Sequence, residues 1–361
     1  MVRVRREFDS RSGLMNLRRL IIIFLLILVS FISASPVVAK DPCTSAKDVP
    51  VCFGKKINKK LVGEGVAPTL KYVNDVVLPE NGYSVVHVLL HLAGEYAYIK
   101  ENSLAKTFEY MEPYAKYSKN GEYLNGFDGF YHGAITMFFE LNKEKDIDEL
   151  IAEICEKGLV IPGNITSNPF ECYHAIGHAL MHAKGNNLDE ALEVCDQQKG
   201  EIKQNGCYYG VFMENAFLYA PTYHPDGQRD TALGNSMAGL CRLYSEKRAH
   251  YCAQFVGQSY LAGYPKDIKG AFVECAKVPQ EYGICVHRLG VMFIPGQFVG
   301  DRKKMKEACD LAAPAYRHIC MNAVEQGIIL GFGGEKAKEE MRRRSSLIDF
   351  VRNILSKLPW Q

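Results

Sequence analysis

Cys172-Tyr-His-Ala-Ile-Gly-His178 begins a pattern that recurs four more times. The other copies are Cys207-Tyr-Tyr-Gly-Val-Phe-Met213, Cys252-Ala-Gln-Phe-Val-Gly-Gln258, Cys285-Val-His-Arg-Leu-Gly-Val291 and Cys320-Met-Asn-Ala-Val-Glu-Gln326. Two earlier segments fit the frame without the cysteine, Val85-Val-His-Val-Leu-Leu-His91 and Phe130-Tyr-His-Gly-Ala-Ile-Thr136. Counting from the cysteine position, offsets +1, +4 and +8 are mostly apolar, as at Tyr173, Ile176 and Leu180. Steps of three and four residues place these side chains on one helix face, which must pack inward. Small residues at +3 or +5 (Gly133, Ala175, Gly177, Gly210, Gly257, Gly290, Ala323) let neighbouring helices approach closely.

Each of these first helices is followed by a second that ends at another cysteine. Examples are Asp146 to Cys155, Asp189 to Cys195, Ile268 to Cys275 and Lys303 to Cys309. Asp146, Asp189 and Asp301 are placed to act as N-caps or first-turn acids. Helix, turn, helix, short link and repeat is the pattern of an all-α fold, an α-solenoid of about seven helix-turn-helix units.

The cysteines supply the staples. Ten of the twelve fall into five pairs, Cys155/Cys172, Cys195/Cys207, Cys241/Cys252, Cys275/Cys285 and Cys309/Cys320. Each pair joins the end of one helical hairpin to the start of the next. Cys43/Cys52 closes a small N-terminal loop. Free buried thiols are the alternative reading. No pair has the Cys-x-x-Cys spacing of a zinc knuckle.

Disulfides require an oxidising compartment, and the N-terminus agrees. Six arginines between Arg3 and Arg19 precede the apolar run Leu20 to Ile32, and Val37 and Ala39 suit cleavage before Lys40. This reads as a cleaved signal peptide over 1–39, with an uncleaved N-terminal anchor as its rival. The chain then divides into an N-terminal disulfide loop and cap (40–80), a repeat domain (81–334) and an amphipathic C-terminal helix (335–361). The first 39 residues hold six of the 43 basic and two of the 41 acidic residues. The remainder carries 37 against 39, a net charge of −2, which offers no electrostatic case for nucleic acid.

The segment Cys252, Gly257, Tyr260, Gly263, Lys266-Asp267, Ala271 and Cys275 resembles a Sel1-like repeat, a relative of the tetratricopeptide repeat. Cys309-Asp-Leu, followed by Cys320, is similar to the junction in secreted cysteine-rich Sel1-like proteins. The resemblance covers roughly 145–335 and rests on cysteines, glycines and alanines. Here the cysteine spacing is longer and the glycine-rich loop shorter. It implies a right-handed solenoid that binds peptides, proteins or cell-wall fragments. Some relatives are associated with β-lactams, but this chain has no Ser-x-x-Lys to supply such a nucleophile.

Three features lie outside the frame. Ala220 to Asp230 is a Pro-, Gly- and His-containing insertion that projects as a loop. Asn164-Ile-Thr is a glycosylation sequon. Leu347, Phe350, Val351, Ile354, Leu355 and Leu358 share a side of the tail, which reads as a capping helix. Peripheral contact with a membrane is the alternative role for that helix.

Offset +2 is the informative position. It holds His87, His132, His174, Tyr209, Gln254, His287 and Asn322, none of them aliphatic. Offset +6, one turn on, holds His91, Thr136, His178, Met213, Gln258, Val291 and Gln326. On first helices lining a concave face, these rows form a polar groove. The first functional reading is therefore an exported scaffold whose groove takes a peptide, protein or cell-envelope ligand. The second is a metalloprotein, with His87, His91, His132, His174 and His178 as ligands. Histidines at i and i+4 can hold one ion from a single helix. His182 extends the third copy's row, and Glu95 and Glu214 are candidate carboxylate ligands. No cofactor is fixed by sequence, but neutral imidazoles suit zinc, copper or iron. There is no His-Glu-x-x-His and no complete catalytic constellation, so the balance leans away from an enzyme. Purely structural assembly at the cell surface is a third reading.

Overall fold

The computed structural model describes residues 41–45, 49–115, 127–156, 169–217, 237–264 and 266–330. The signal segment (1–39), the 220–230 insertion, Asn164 and the 335–361 tail lie outside the described residues. Among the described residues every regular element is helical. None of these helices is long and apolar enough to cross a membrane.

The chain enters through α1 (Val49–Glu64) and α2 (Val66–Tyr72). A π-helical turn then leads into α3 (Leu78–Glu101), the first helix of the first copy. The next three first helices are α5 (Asp128–Leu141), α7 (Pro169–Ala183) and α9 (Glu201–Phe217). Copy five breaks at Phe255 into α11 (Glu246–Gln254) and α12 (Val256–Gly263). Copy six runs through α14 (Tyr282–Arg288), a π-helical turn (Leu289–Phe293) and α15 (Ile294–Gln297). Pro295, which has no N–H to give, sits just after that turn, where a regular ladder would need one. Copy seven is α17 (Arg317–Ile329).

The short second helices are α4 (Leu104–Glu109), α6 (Ile147–Cys155), α8 (Leu188–Gln197), α10 (Met237–Cys241), α13 (Ile268–Cys275) and α16 (Arg302–Cys309). Their starts follow the local chemistry. Asp146 accepts hydrogen bonds from the Asp148 and Glu149 amides, and Asp301 accepts one from Lys304. At α8 the cap is Asn187, and Asp189 lies in the first turn, where its charge suits the helix dipole.

All six expected disulfides form, and no described cysteine is free. Five run from a second helix to the following first helix. They span 10 to 17 residues, so each stabilises the fold by roughly 2–3 kcal/mol on loop-closure grounds. Six disulfides are typical of extracellular proteins.

The sixth, Cys43–Cys52, closes the small N-terminal loop as expected. Cys52 lies inside the first turn of α1. Pro50 stands beside the start of that helix, where its missing N–H costs nothing and its fixed φ favours the helical turn. The bond therefore ties a short 3₁₀ turn (Pro42–Ser45) onto a helix end. Cys43 is buried, whereas Cys52 is half-buried and packs against the edge of the core.

First helices pack on one another in sequence, α3 on α5, α5 on α7 and α7 on α9. Between them lies one apolar core that includes the fully buried Phe130, Phe139, Tyr173, Phe212 and Phe255. The α3–α5 and α7–α9 contacts are close because backbone meets backbone. A Cβ on Gly133 of α5 would lie 2.0 Å from the carbonyl oxygen of His91. A Cβ on Gly210 of α9 would lie 2.0 Å from that of His174. No side chain fits either position, so glycine sets the helix spacing there. The row also bends back on itself: α15 meets α3, bringing the sixth copy against the first.

Candidate metal centre

Three adjacent helices bring five histidines to one buried place. α3 contributes His87 and His91, α5 contributes His132, and α7 contributes His174 and His178. The i, i+4 spacing puts each pair one turn apart on one face. Because α5 packs between α3 and α7, His132 falls between the pairs. Its ring centroid lies 5.0 and 5.4 Å from those of His87 and His91, and 4.5 and 4.8 Å from those of His174 and His178. His91 and His178 are 5.3 Å apart by the same measure. All five side chains are buried, with His178 completely so.

Within each pair the Nε2 atoms face each other, at 3.2 Å for His87/His91 and 3.1 Å for His174/His178. The opposite ring edges face carboxylates. His87 Nδ1 is 3.2 Å from Asp128, His174 Nδ1 is 3.2 Å from Glu171, and His178 Nδ1 is 2.7 Å from Glu214. Glu214 also meets His182 Nε2 at 3.2 Å. His182, one turn beyond His178, keeps a third of its side-chain surface exposed, so Glu214 links the buried cluster to a more open edge. The buried Nδ1 of His132 has no hydrogen-bond partner among the described residues and, unlike His87 Nδ1, no carboxylate facing it.

Burial governs the electrostatics. It pushes His174 down to about 3 and His178 to about 4, the latter partly offset by Glu214. His91 and His132 fall well below the ordinary imidazole value, through burial and then the neighbouring rings. All four are neutral at pH 7 and can act as ligands. Burial opposes charge on Glu214 too, but hydrogen bonds from His178 and His182 outweigh it and hold the carboxyl well below its usual range. Burial likewise opposes charge on His182, yet Glu214 raises it on balance. Burial lifts Glu171 to about 8, helped by the Asp128 charge. It lifts Glu95 to about 7 despite the attraction of His182.

These states dictate the tautomers. Ionised Glu214 can only accept, so His178 donates from Nδ1 and turns an Nε2 lone pair toward His174. The 3.1 Å contact then needs a positive centre between the two nitrogens. A proton on His174 Nε2 serves only if neutral Glu171 donates to His174 Nδ1, giving the chain Glu171 to His174 to His178 to Glu214. A metal cation would serve as well: His174 and His178 would hold it through Nε2, with His174 donating from Nδ1 to an ionised Glu171 and one proton released in all. Metal–imidazole bonds of about 2.1 Å at angles of about 90–109° place cis nitrogens about 3.0–3.4 Å apart. Both Nε2 pairs have that spacing. The rings, their neutral state and the carboxylates behind them fit a transition metal.

Two triads have their donor atoms within 4.8 Å of one another: His87, His91 and His132, and His132, His174 and His178. The rest of the +2 row is placed differently. Tyr209 sets its ring edge-on to His174 at 4.8 Å. Gln254 is half-buried at the break in copy five, and Asn322 is exposed. His287 is half-buried, its Nε2 3.2 Å from Gln326. The expected stripe is therefore divided. In the first three copies the +2 position faces the next first helix and is at most 5% exposed, so it does not line an open groove.

Asp128, Glu171 and Arg288 escape the reading by offset. Glu171 leaves a signal, since it lies three residues before His174 on the same helix. Arg288 leaves another, being the only charged residue at offset +3. Its buried guanidinium bonds to the Tyr209 hydroxyl and lies 4.9 and 4.7 Å from the Tyr209 and Phe255 ring centroids. Asp128, two residues before its frame, leaves none.

No protein-family model matches this chain, and no curated protein or solved structure matches it either.

Proposed function

We propose that this chain is an exported metalloprotein whose buried histidine nest binds a first-row transition metal of the zinc, copper or iron kind. One observation carries the reading. His178 is held by Glu214 at 2.7 Å on one ring edge, and its other nitrogen faces His174 Nε2 at 3.1 Å. This supports a carboxylate–histidine–metal reading, in which the outer partner would orient the ring and raise its basicity. Asp128 and Glu171 stand in the same relation to His87 and His174. Nearby carboxylates also supply the negative charge that a buried dication needs. Export is supported by the six disulfides and by the arginine-rich, then apolar, N-terminus.

A peptide or cell-envelope ligand at the same histidines has less support, because burial keeps a chain-sized ligand from them. Kinship with Sel1-like repeats rests on the cysteine and glycine frame alone.

The test is elemental analysis of the chain produced with its disulfides intact, before and after His174→Ala and His178→Ala. We expect bound transition metal in the parent and a large loss in the variants. Less than a tenth of an equivalent of any transition metal, even after incubation with zinc, copper and iron salts, would sink the proposal.

A further inference from the structure

We infer that the nest holds two metal ions, one on the His87–His91 pair and one on the His174–His178 pair, with His132 shared between them. The inference rests on the metal-binding reading and goes beyond it to stoichiometry and architecture.

Four observations converge. First, each pair is already spaced as two cis ligands of its own ion, at 3.2 and 3.1 Å between Nε2 atoms. Among the described residues the donor atoms fall into two groups of three, each pair completed by His132, and no group with its donor atoms within 4.8 Å of one another joins both pairs. Second, each pair has its own carboxylate support: Asp128 behind His87, and Glu171 and Glu214 behind His174 and His178. Third, His132 belongs to both triads. Its buried Nδ1 has no hydrogen-bond partner among the described residues and, unlike His87 Nδ1 with Asp128, faces no carboxylate there; only 2% of its surface is exposed. A ring shared by two ions would bind through both nitrogens as an imidazolate, its N–H proton passing to solvent as the second ion binds. Fourth, the helices repeat the arrangement at the first histidine of each pair: a Cβ on Gly129 of α5 would lie 2.1 Å from the His87 carbonyl oxygen, and one on Gly210 of α9 2.0 Å from that of His174.

The experiment is titration of the chelator-treated, disulfide-intact chain with Co(II), followed by visible absorption and equilibrium dialysis. We expect saturation at two equivalents. His87→Gln/His91→Gln should retain one equivalent, His174→Gln/His178→Gln should retain one, and His132→Gln should weaken both. If the variants do not fold, the parent chain decides by Cu(II) titration with electron paramagnetic resonance. The second equivalent should broaden the spectrum of the first and bring up a half-field signal. Saturation at one equivalent, or two coppers without mutual broadening, overturns the two-ion centre and leaves the metal-binding reading intact. Zero equivalents removes the metal-binding reading itself.

Discussion

Glu214 holds two histidines of one helix at once, His178 at 2.7 Å and His182 at 3.2 Å. One carboxylate from α9 thereby selects the tautomer of a fully buried ring on α7 and ties it to a ring at the edge of the cluster. Glu214→Gln keeps the volume but can donate where the carboxylate only accepted. His178 then loses its preferred tautomer. Metal affinity should fall about 10- to 100-fold, as for other outer partners of metal-binding histidines. Competition against a chelator of known affinity measures this, and an unchanged dissociation constant would show that Glu214 does not orient a ligand.

Metal uptake should release protons and strengthen as pH rises. Burial lifts Glu171 to about 8 and Glu95 to about 7, so in the absence of a cation Glu171 is mostly and Glu95 about half protonated at neutral pH. A bound dication displaces those protons, and affinity climbs with pH until both are ionised without it, near pH 8. Calorimetry in buffers of different ionisation enthalpy reads the released protons directly. Binding heats independent of buffer would contradict this account.

The same groups set the pH dependence of the metal-free fold. Glu171 and Glu95 have folded values raised above the ordinary 4.5. Their contribution to stability is fully present below about pH 4.5 and is lost as pH rises toward 7 and 8. His174 and His178 are depressed from 6.5 to about 3 and 4. Staying neutral in the fold, they cost stability as pH falls from 6.5 toward those values. Urea unfolding of the chelated chain should show a stability maximum between about pH 5 and 7. With metal bound, the alkaline decline should disappear.

Gly133→Ala drives a methyl group into the His91 carbonyl, where a Cβ would lie 2.0 Å away. α3 and α5 must separate, costing about 1–3 kcal/mol as overpacking does. His91 and His132 move apart with them, so metal affinity should drop in parallel. Gly63→Ala is the control. It lies in α1 with nothing within 4 Å, and should be neutral or stabilising by up to about 1 kcal/mol. Thermal melts and metal titration of both variants separate the close-approach effect from helix propensity.

Replacing Cys195 and Cys207 together by serine frees the start of α9 from α8. α9 carries both Gly210 and Glu214, so the loss should reach the metal centre. We expect about 2–5 kcal/mol of destabilisation and weaker metal binding. Removing Cys309 and Cys320, which staple α16 to α17, should cost stability with little change at the centre. Equal effects on metal binding from both would mean that the staples act only through global stability.

Much of this molecule is readable in one dimension because its governing distances are local. Apolar steps of three and four residues specify the helices. Cysteines 9 to 17 residues apart close small loops, and all six pairs form as spaced. Spacing gives the partner but not the setting, as Cys52 shows by pairing with Cys43 from within a helix. A four-residue step places His87 with His91 and His174 with His178 whatever the rest of the chain does. Glu214 was recognisable as a carboxylate near the row. Glu95 was too, although it acts through its field on His182 rather than through a hydrogen bond.

Which copies meet was not readable in that way, because it depends on contacts between helices far apart in the chain. The offset +2 row looks continuous on paper. In space it is cut after Tyr209, since α3, α5 and α7 press their +2 faces together while His287 pairs with Gln326 and Asn322 faces solvent. Asp128 reaches His87 only across the α3–α5 contact, from 41 positions along the chain. Sequence by itself determined the all-helical fold, the disulfide pairing and the two histidine pairs, all set by local periodicity and short loops. Tertiary structure alone decided that the pairs converge on His132, that the cluster is buried, that His91, His132, His174 and His178 are held neutral, and that carboxylates stand behind it. Those properties follow from helix–helix packing and exclusion of water, which no local spacing encodes.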